Sequence, residues 1–360
     1  MSHSLDMGGS ERQVALVAQA LDRTRFRVHV AAFHTGGMRA AELRQAGVPV
    51  HEIPVRSFKN ASLFIGAKRF RQLLRDENIQ LVHPFDYPTV IFGIPLARLF
   101  GVRAAVSSQR GERGFLGPGW QRLLRVTDRM VDRVAVNSVF VKNELIASQG
   151  VPAERISVLY NGLDTTQFHN RGRQRLPGLD GATTVIGTVS VLRREKGIDS
   201  LIDAFARLRP AERGLRLLIA GGGEAEAELK AQAKRCQVAA QCLFLPAAKD
   251  VAPLYRSIDI YVLPSHTEAF SNSLLESIAC GCCPVASRVG GNPEMIRDGE
   301  NGYLFPPTDG TALADRLEAL LADPARRDQF SAAGRARVAN EFSMELAGKR
   351  FGDFYQELLR

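Results

Sequence analysis

Residues 265–287 read SHTEAFSNSLLESIACGCCPVAS, and the order of residue types in this stretch decides the fold class. An apolar run at 259–263 precedes it and reads as a buried strand that stops at the turn Pro264-Ser265. Ser271 or Asn272 then caps a helix, because a short polar side chain there can accept from the first helical amides. Residues 285–287 return as a further strand ahead of Gly290-Gly291. Strand, turn, capped helix and strand together make one crossover unit of a parallel sheet.

The same alternation extends outward through the second half. Residues 184–192 (TVIGTVSVL) are a β-branched strand, and 198–208 carry apolar residues at helical spacing. Residues 215–220 form a buried strand ended by Gly221-Gly222-Gly223, a plain turn; 224–236 read as a polar helix and 242–245 as a short strand. The first half repeats the theme, with helices expected at 11–21 and 39–46 and strands at 27–33, 81–83, 104–107, 133–137 and 156–159. Residues 167–182, polar and rich in Arg, Gly and Asn, read as a linker. The expectation is an α/β chain with two doubly wound parallel-sheet domains, 1–166 and 183–343, facing across a cleft at the carboxyl ends of their strands.

One irregularity stands at the start. Ser2-His3-Ser4-Leu5-Asp6-Met7-Gly8-Gly9 looks like the loop after a first strand, yet no strand precedes it. In a doubly wound sheet that strand lies in the middle. Either the true start lies upstream or another segment fills the slot.

Bulk properties narrow the class. A chain of 360 residues with 45% apolar and 24% charged residues is globular rather than disordered. It has no apolar run of the ~18 residues that span a bilayer, and no basic-then-apolar leader, so a cytoplasmic protein is expected. The five cysteines are an odd number, and Cys280, Cys282 and Cys283 are too crowded for a tetrahedral metal site, so they read as small buried side chains. Residues 1–180 hold 25 Lys and Arg against 15 Asp and Glu, while the remainder holds 22 against 23. The excess of positive charge in the first half suits an anionic partner.

The chemistry concentrates in two places. Glu268 follows the 259–263 strand, and Glu276 falls eight residues later inside the capped helix. Amides at a helix start suit a diphosphate, and carboxylates beside them suit sugar hydroxyls. As a bare spacing the pair would read as solvated surface carboxylates; the strand–turn–capped-helix context argues otherwise. Lys196, in Leu192-Arg193-Arg194-Glu195-Lys196-Gly197, opens the helix after the 184–192 strand, within reach of the same diphosphate. A leaving nucleoside diphosphate gains negative charge as its bond breaks, and a fixed ammonium stabilises that charge most in the transition state. With no Asp-x-Asp pair to hold a metal, lysine, arginine and amides are the expected neutralising groups, and no metal or other cofactor is called for. His266 reads equally as a turn residue, and Phe270 as core packing whose backbone meets the ligand.

In these residues the chain resembles the retaining GT-B glycosyltransferases of family four. The resemblance rests on Glu268 and Glu276 with their flanks, on Arg193-Arg194-Glu195-Lys196-Gly197, and on the segment from Val158 to Asp164 (VLYNGLD). Gly290-Gly291-Asn292-Pro293-Glu294 and Gly8-Gly9-Ser10-Glu11-Arg12 complete it; the likeness runs nearly end to end and is strongest over 156–310. It implies two Rossmann-like domains, with a final helix (344–360) returning to the first. It also implies that Glu268 bonds the donor hexose, that the amides of Phe270, Ser271, Asn272 and Ser273 hold sugar and phosphate, and that Glu276 grips the ribose. Lys196, with Arg193, would meet the diphosphate, the loop 246–249 ending in Lys249 would back the base, and Gly9 would let its loop approach the donor. Two departures stand out: Val191 occupies a position where the family often has arginine, and Ser107-Ser108-Gln109-Arg110 stands where it often has histidine. Arg110 is thus the acceptor-side candidate. The family's front-face displacement uses no dedicated carboxylate nucleophile.

The implied function is transfer of a hexose-type sugar, with retention, from a UDP- or GDP-sugar to a glycan or lipid-linked acceptor in cell-envelope polysaccharide or glycolipid synthesis. Arg122, Arg125, Arg129 and Arg133 recur at helical spacing after Phe115, Leu116 and Trp120. Lys59, Lys68, Arg69, Arg71 and Arg75 surround Phe64, Ile65 and Phe70. Such sets suit an anionic membrane face and peripheral attachment at the inner side of the plasma membrane, or simply a solvated surface. No nucleic-acid motif accompanies them. The rival readings are a nucleotide-sugar epimerase of the same fold and a non-catalytic nucleotide-sugar binder.

Overall fold

A computed structural model describes every residue except Met7 and Glu112, and every other side chain except that of Phe115. The part of the opening loop at Met7 and the apolar contribution expected of Phe115 therefore lie outside the described residues. The chain divides into two compact units, one of Met1–Gly162 with Met344–Arg360 and one of Leu163–Ser343.

The first unit holds β1 (Val30–Ala32), β2 (Val50–Glu52), β3 (Leu81–Val82), β4 (Ala104–Gln109), β5 (Arg133–Val136) and β6 (Ile156–Val158), paired in parallel as β1-β2 and β3-β4-β5-β6. Met1 and Ser2 sit between the two groups. Ser2 N–H donates to Ala31 O (3.1 Å) and Phe33 N–H donates to Ser2 O (3.3 Å), which makes a parallel bridge to β1. On the other side the Met1 amino group donates to His83 O (2.7 Å), and Phe85 N–H donates to Met1 O (2.9 Å). The opening residues thus occupy one end of the mid-sheet position left vacant by the sequence pattern. The strand expected over 27–33 is paired only over Val30–Ala32. The final helix, Met344–Leu358, packs in this unit: a Cβ on Gly348 would stand 2.7 Å from Ala20 O, and the Tyr355 hydroxyl meets His83 Nδ1 at 2.7 Å.

The second unit holds β7 (Thr184–Val189), β8 (Leu215–Ala220), β9 (Cys242–Leu245), β10 (Ile260–Leu263), β11 (Cys283–Ser287) and β12 (Tyr303–Phe305). They form one parallel sheet in the order β12-β11-β10-β7-β8-β9. Strands covered on both faces read as near-continuous apolar runs, and β7, β10 and β11, with only Thr184, Thr188, Tyr261 and Ser287 as polar members, are buried at every position. The helix Ile198–Arg207 lays Ile198, Leu201, Ile202 and Phe205 on this sheet, each fully buried and each contributing about 1.5–3 kcal/mol. Strand order reverses between β7 and β10, and at such a switch point the loops leaving the two strands diverge and open a crevice.

Two expectations change. Residues 167–182 are not a free linker but part of the second unit: Phe168 is buried, and Arg173 and Arg175 pair with Asp259 at 3.1 and 2.6 Å. Asp259 also accepts from Val185 N–H (2.8 Å), so the two arginines fasten this segment to the amino ends of the two central strands, β7 and β10. The strand read over 285–287 starts earlier, at Cys283. Pro284 is tolerated there because it falls ahead of the first pair with β12, Val285 with Tyr303.

Candidate functional site

The two strands that flank the switch point carry the residues singled out by their chemistry. Lys196 leaves β7 at the end of a short 3-10 turn, Arg194–Lys196, and Glu268 leaves β10 after the Pro264-Ser265 turn. They meet: Lys196 Nζ donates to Glu268 Oε1 at 2.7 Å. Ser265, fully buried, donates its hydroxyl to the same oxygen at 2.8 Å and is itself held by Ser287, whose hydroxyl donates to Ser265 O at 2.5 Å. The carboxylate is therefore fixed by an ammonium and a hydroxyl.

The loops are also locked through their backbones. His266 N–H donates to Glu195 O (2.8 Å), joining the turn after β10 to the turn after β7. Gly197 has φ +61°, and a Cβ there would lie 2.2 Å from Pro264 O. Gly290 has φ +53°, and its Cβ would lie 1.4 Å from Glu268 O. Only glycine combines left-handed backbone with so close an approach. Three segments distant in sequence, 193–197, 264–268 and 290–294, thus converge as one constellation.

The helix Asn272–Ala279 completes it. Ser271 is the N-cap, its hydroxyl accepting from Leu274 N–H at 3.3 Å and lying 3.0 Å from the Ser273 hydroxyl. The first amides of a helix have no intrahelical partner, and together with the helix dipole they favour an anion. Glu276 lies in this helix and is buried. Tyr261, on β10, donates to Val189 O (3.3 Å) and bonds the Ser273 hydroxyl. Burial pushes its phenol well above the usual range, and the nearby charges of Glu268 and Glu276 push it further. Tyr261 is thus a neutral prop beneath the helix start, bonded to Ser273.

The other expected residues are placed as follows. Phe270 is buried with its ring 5.6 Å from that of Phe342, so the side chain packs in the core. Arg193 is exposed, 3.7 Å from Glu195, and Lys249 is exposed on the loop after β9. Val191, standing in the often-arginine position, is exposed. Gly9 and Arg110 belong to the first unit. Gly9 begins the helix Gly9–Ala20; Arg110 donates to Asn161 Oδ1 and lies over the Phe85 ring (5.2 Å), and burial lowers its guanidinium to about 10. Sequence reasoning gave no role to Ser265, Ser287 or Tyr261. The one readable signal was that Ser265 directly follows a strand-ending proline; the Ser287–Ser265–Glu268 chain depends on tertiary contact.

Known proteins match this architecture. Residues 174–337 match the family described as glycosyl transferases group 1, and residues 7–167 match glycosyltransferase family 4. The N-acetyl-alpha-D-glucosaminyl L-malate synthase of Bacillus anthracis is 27% identical over 82% of this chain and 79% of its own length. A GDP-mannose-dependent phosphatidylinositol monomannoside mannosyltransferase of Mycolicibacterium smegmatis is 29% identical over 80% of this chain and 79% of its own. Among solved structures, the HepE protein of Anabaena, crystallised with UDP, superimposes with a TM-score of 0.86 at 20% identity, covering 99% of this chain and 98% of that one. That likeness establishes the two-domain GT-B fold.

Proposed function

The chain belongs to the GT-B glycosyltransferases of family four, which build glycans and glycolipids, and from that premise we propose that it transfers a hexose-type sugar with retention from a UDP- or GDP-sugar to a glycan or lipid-linked acceptor. The observation that carries the reading is the meeting of Lys196 and Glu268 at the switch point of the second sheet, beside the amides of the Asn272–Ala279 helix. The diphosphate rests on those amides and draws the Lys196 ammonium. Glu268, released from Lys196, accepts from the sugar hydroxyls, while Glu276 accepts from the ribose. As the glycosidic bond breaks, the leaving diphosphate gains charge that Lys196 and the helix start already face. The acceptor hydroxyl attacks the same face that the diphosphate leaves and passes its proton to the departing phosphate oxygen, which gives retention without a protein nucleophile.

On the acceptor side, the exposed surface of the first unit favours a lipid-linked acceptor at an anionic membrane, with the protein peripheral on the cytoplasmic face. No helix among the described residues is long and apolar enough to cross a membrane. Phe64, Ile65, Trp120, Leu123 and Val126 are exposed on the helices Ser62–Asp76 and Pro118–Met130, and Phe58 joins the two by an edge contact with Trp120 at 6.3 Å. Lys68, Arg69, Arg122 and Arg125 on the same helices are exposed, and such a mixed surface binds anionic headgroups.

The test is product analysis with UDP- and GDP-sugars and a lipid-linked glycan acceptor. Acceptor-dependent release of UDP or GDP with an α-linked product from an α-linked donor is expected. Turnover of the donor without acceptor would instead indicate an epimerase, and tight nucleotide binding with no turnover a non-catalytic binder. Salt-sensitive co-sedimentation with anionic vesicles is expected; equal recovery with neutral vesicles at low salt would refute the membrane assignment.

A further inference from the structure

The second unit has a concavity of about 300 Å³ at the end of its sheet opposite Lys196 and Glu268, between the segment 172–177 and the short helix Ala252–Arg256. Strand β10 separates the two ends, since Asp259 precedes it and Glu268 follows it. Its 4 residues, at ~3.3 Å each, hold the concavity about 13 Å or more from the Lys196–Glu268 contact. Leu176, Pro177 and Pro253 give it apolar walls, and the two prolines stiffen the backbone on both sides.

Two guanidinium groups line it, Arg175 and Arg256. Arg175 is clamped, Nη1 donating to Ser257 O at 2.7 Å and Nη2 to Asp259 Oδ2 at 2.6 Å. A guanidinium has more N–H donors than these bonds use, so the clamp fixes the fork and leaves donors over. Arg256, half-buried at the end of its helix, has no side-chain hydrogen bond and no carboxylate partner among the described residues. The charge is not cancelled. Asp259 is shared between Arg175, Arg173 (3.1 Å) and Val185 N–H (2.8 Å). The flanking acids Asp180 and Asp250 accept from Gly178 N–H (3.3 Å) and Ala252 N–H (3.2 Å) instead. The positive field extends to the buried Cys280 thiol, which burial pushes up to about 12 while Arg256 pulls against it.

A half-buried guanidinium without an acceptor is stabilised by a bound anion, and two such forks on one concavity match an oxyanion of more than one charge. We propose that this concavity is a second anion site of the chain, taking a small free molecule that bears a phosphate or pyrophosphate group. The anion lies between Arg175 and Arg256, the exposed Gln174 donates to it, and the rest of the molecule rests on Leu176, Pro177 and Pro253. The volume is at the lower end of small-molecule pockets, so the ligand is small. Bound there, it ties the segment 172–177 to the helix Ala252–Arg256.

The test adds inorganic pyrophosphate to the full chain carrying Lys196→Ala, which weakens the proposed donor site, with sodium chloride at equal ionic strength as the reference. Pyrophosphate slows amide exchange over 172–176 and 254–256 by on the order of fivefold or more. It raises the unfolding midpoint by roughly 3 °C or more. Adding Arg256→Gln removes both effects. Should that variant be unstable, Gln174→Glu removes them by repulsion from an exposed position. The chain with Lys196 intact shows the same protection over 172–176. Protection confined to the helix start at 272–274, an equal effect of chloride, or effects that survive both Arg256→Gln and Gln174→Glu overturn the proposal. A loss of co-sedimentation with phosphatidic acid vesicles in Gln174→Glu overturns the free source in favour of a lipid headgroup. None of these readouts depends on sugar transfer.

Discussion

Gly290 lies directly against the backbone of Glu268: a Cβ at Gly290 would stand 1.4 Å from the Glu268 carbonyl oxygen, and its φ of +53° is one that L side chains rarely adopt. Gly290→Ala therefore forces either the 290 loop or the 268 turn to move. The expected cost is about 2–4 kcal/mol, from strained backbone plus steric clash, together with loss of most turnover. Thermal unfolding alongside initial rates checks this. A variant with wild-type midpoint and rate would mean that the two loops are not coupled.

Lys196→Ala removes the ammonium proposed to face the leaving diphosphate and also strips Glu268 of its charged partner. Turnover should fall about 100-fold with the donor KM changed only a few-fold, because the charge matters most in the transition state. Glu276→Ala, by contrast, should weaken donor binding by roughly 10-fold or more and leave single-turnover chemistry less affected. Steady-state and single-turnover kinetics on both variants separate the two roles.

Ser265→Ala deletes one of the two bonds to Glu268 Oε1 and leaves the Lys196 contact in place. A modest loss is expected, about 1 kcal/mol in stability and less than tenfold in turnover. Calorimetry and rate measurements on the same preparation test it.

Arg113 and Asp128 form a bidentate pair at 2.5 and 2.9 Å with both side chains almost wholly buried, and Arg113 also donates to Gln109 Oε1 at 2.9 Å. Asp128→Ala strands a buried guanidinium and should destabilise the first unit by about 3–5 kcal/mol. Because Asp128 sits on the helix that carries Trp120, Leu123 and Arg125, vesicle binding should weaken with it. Denaturant unfolding and co-sedimentation measure the two effects.

The Met1 amine gives a pH signature. Burial lowers it from 8.0 to about 6, so between those values the unfolded chain binds the proton and the folded chain does not. Stability from this group is therefore full above pH 8 and lost as pH falls to 6, by up to ~3 kcal/mol. Buried His83, also depressed by desolvation, acts in the same direction at lower pH. Nα-acetylation should abolish the pH 6–8 component and leave the His83 component, as urea titrations at several pH values would reveal.

Much of this was legible in the residues because local signals and tertiary structure agree there. The capped start at Ser271, the apolar strand before it and the glycine-ended strand Leu215–Ala220 each announce themselves within a few residues. The helix expected over 198–208 is observed at Ile198–Arg207. What stayed hidden depends on distant partners. The three-residue β2, Val50-His51-Glu52, is too short and polar to read as a strand and exists because β1 pairs with it. Polar composition suggested a linker at 167–182, since nothing local reveals that Arg173 and Arg175 find Asp259. Among the site residues, Glu268, Glu276 and Lys196 stood out by type and context. The bond from Ser265 to Glu268 and the close approach of Gly290 to Glu268 depend on the turn after β10 resting on the loop after β11, which no local pattern shows.

Lys196 and Glu268 each neutralise the other's charge across a contact of 2.7 Å. In the proposed reaction an intact donor satisfies both at once, phosphate taking the ammonium and hexose taking the carboxylate. A spent nucleotide draws Lys196 away and leaves Glu268, only 12% exposed, leaning on Ser265 alone. In the proposed reaction the pair works as an interlock that favours the loaded carrier over the discharged one and eases expulsion of the by-product after each cycle.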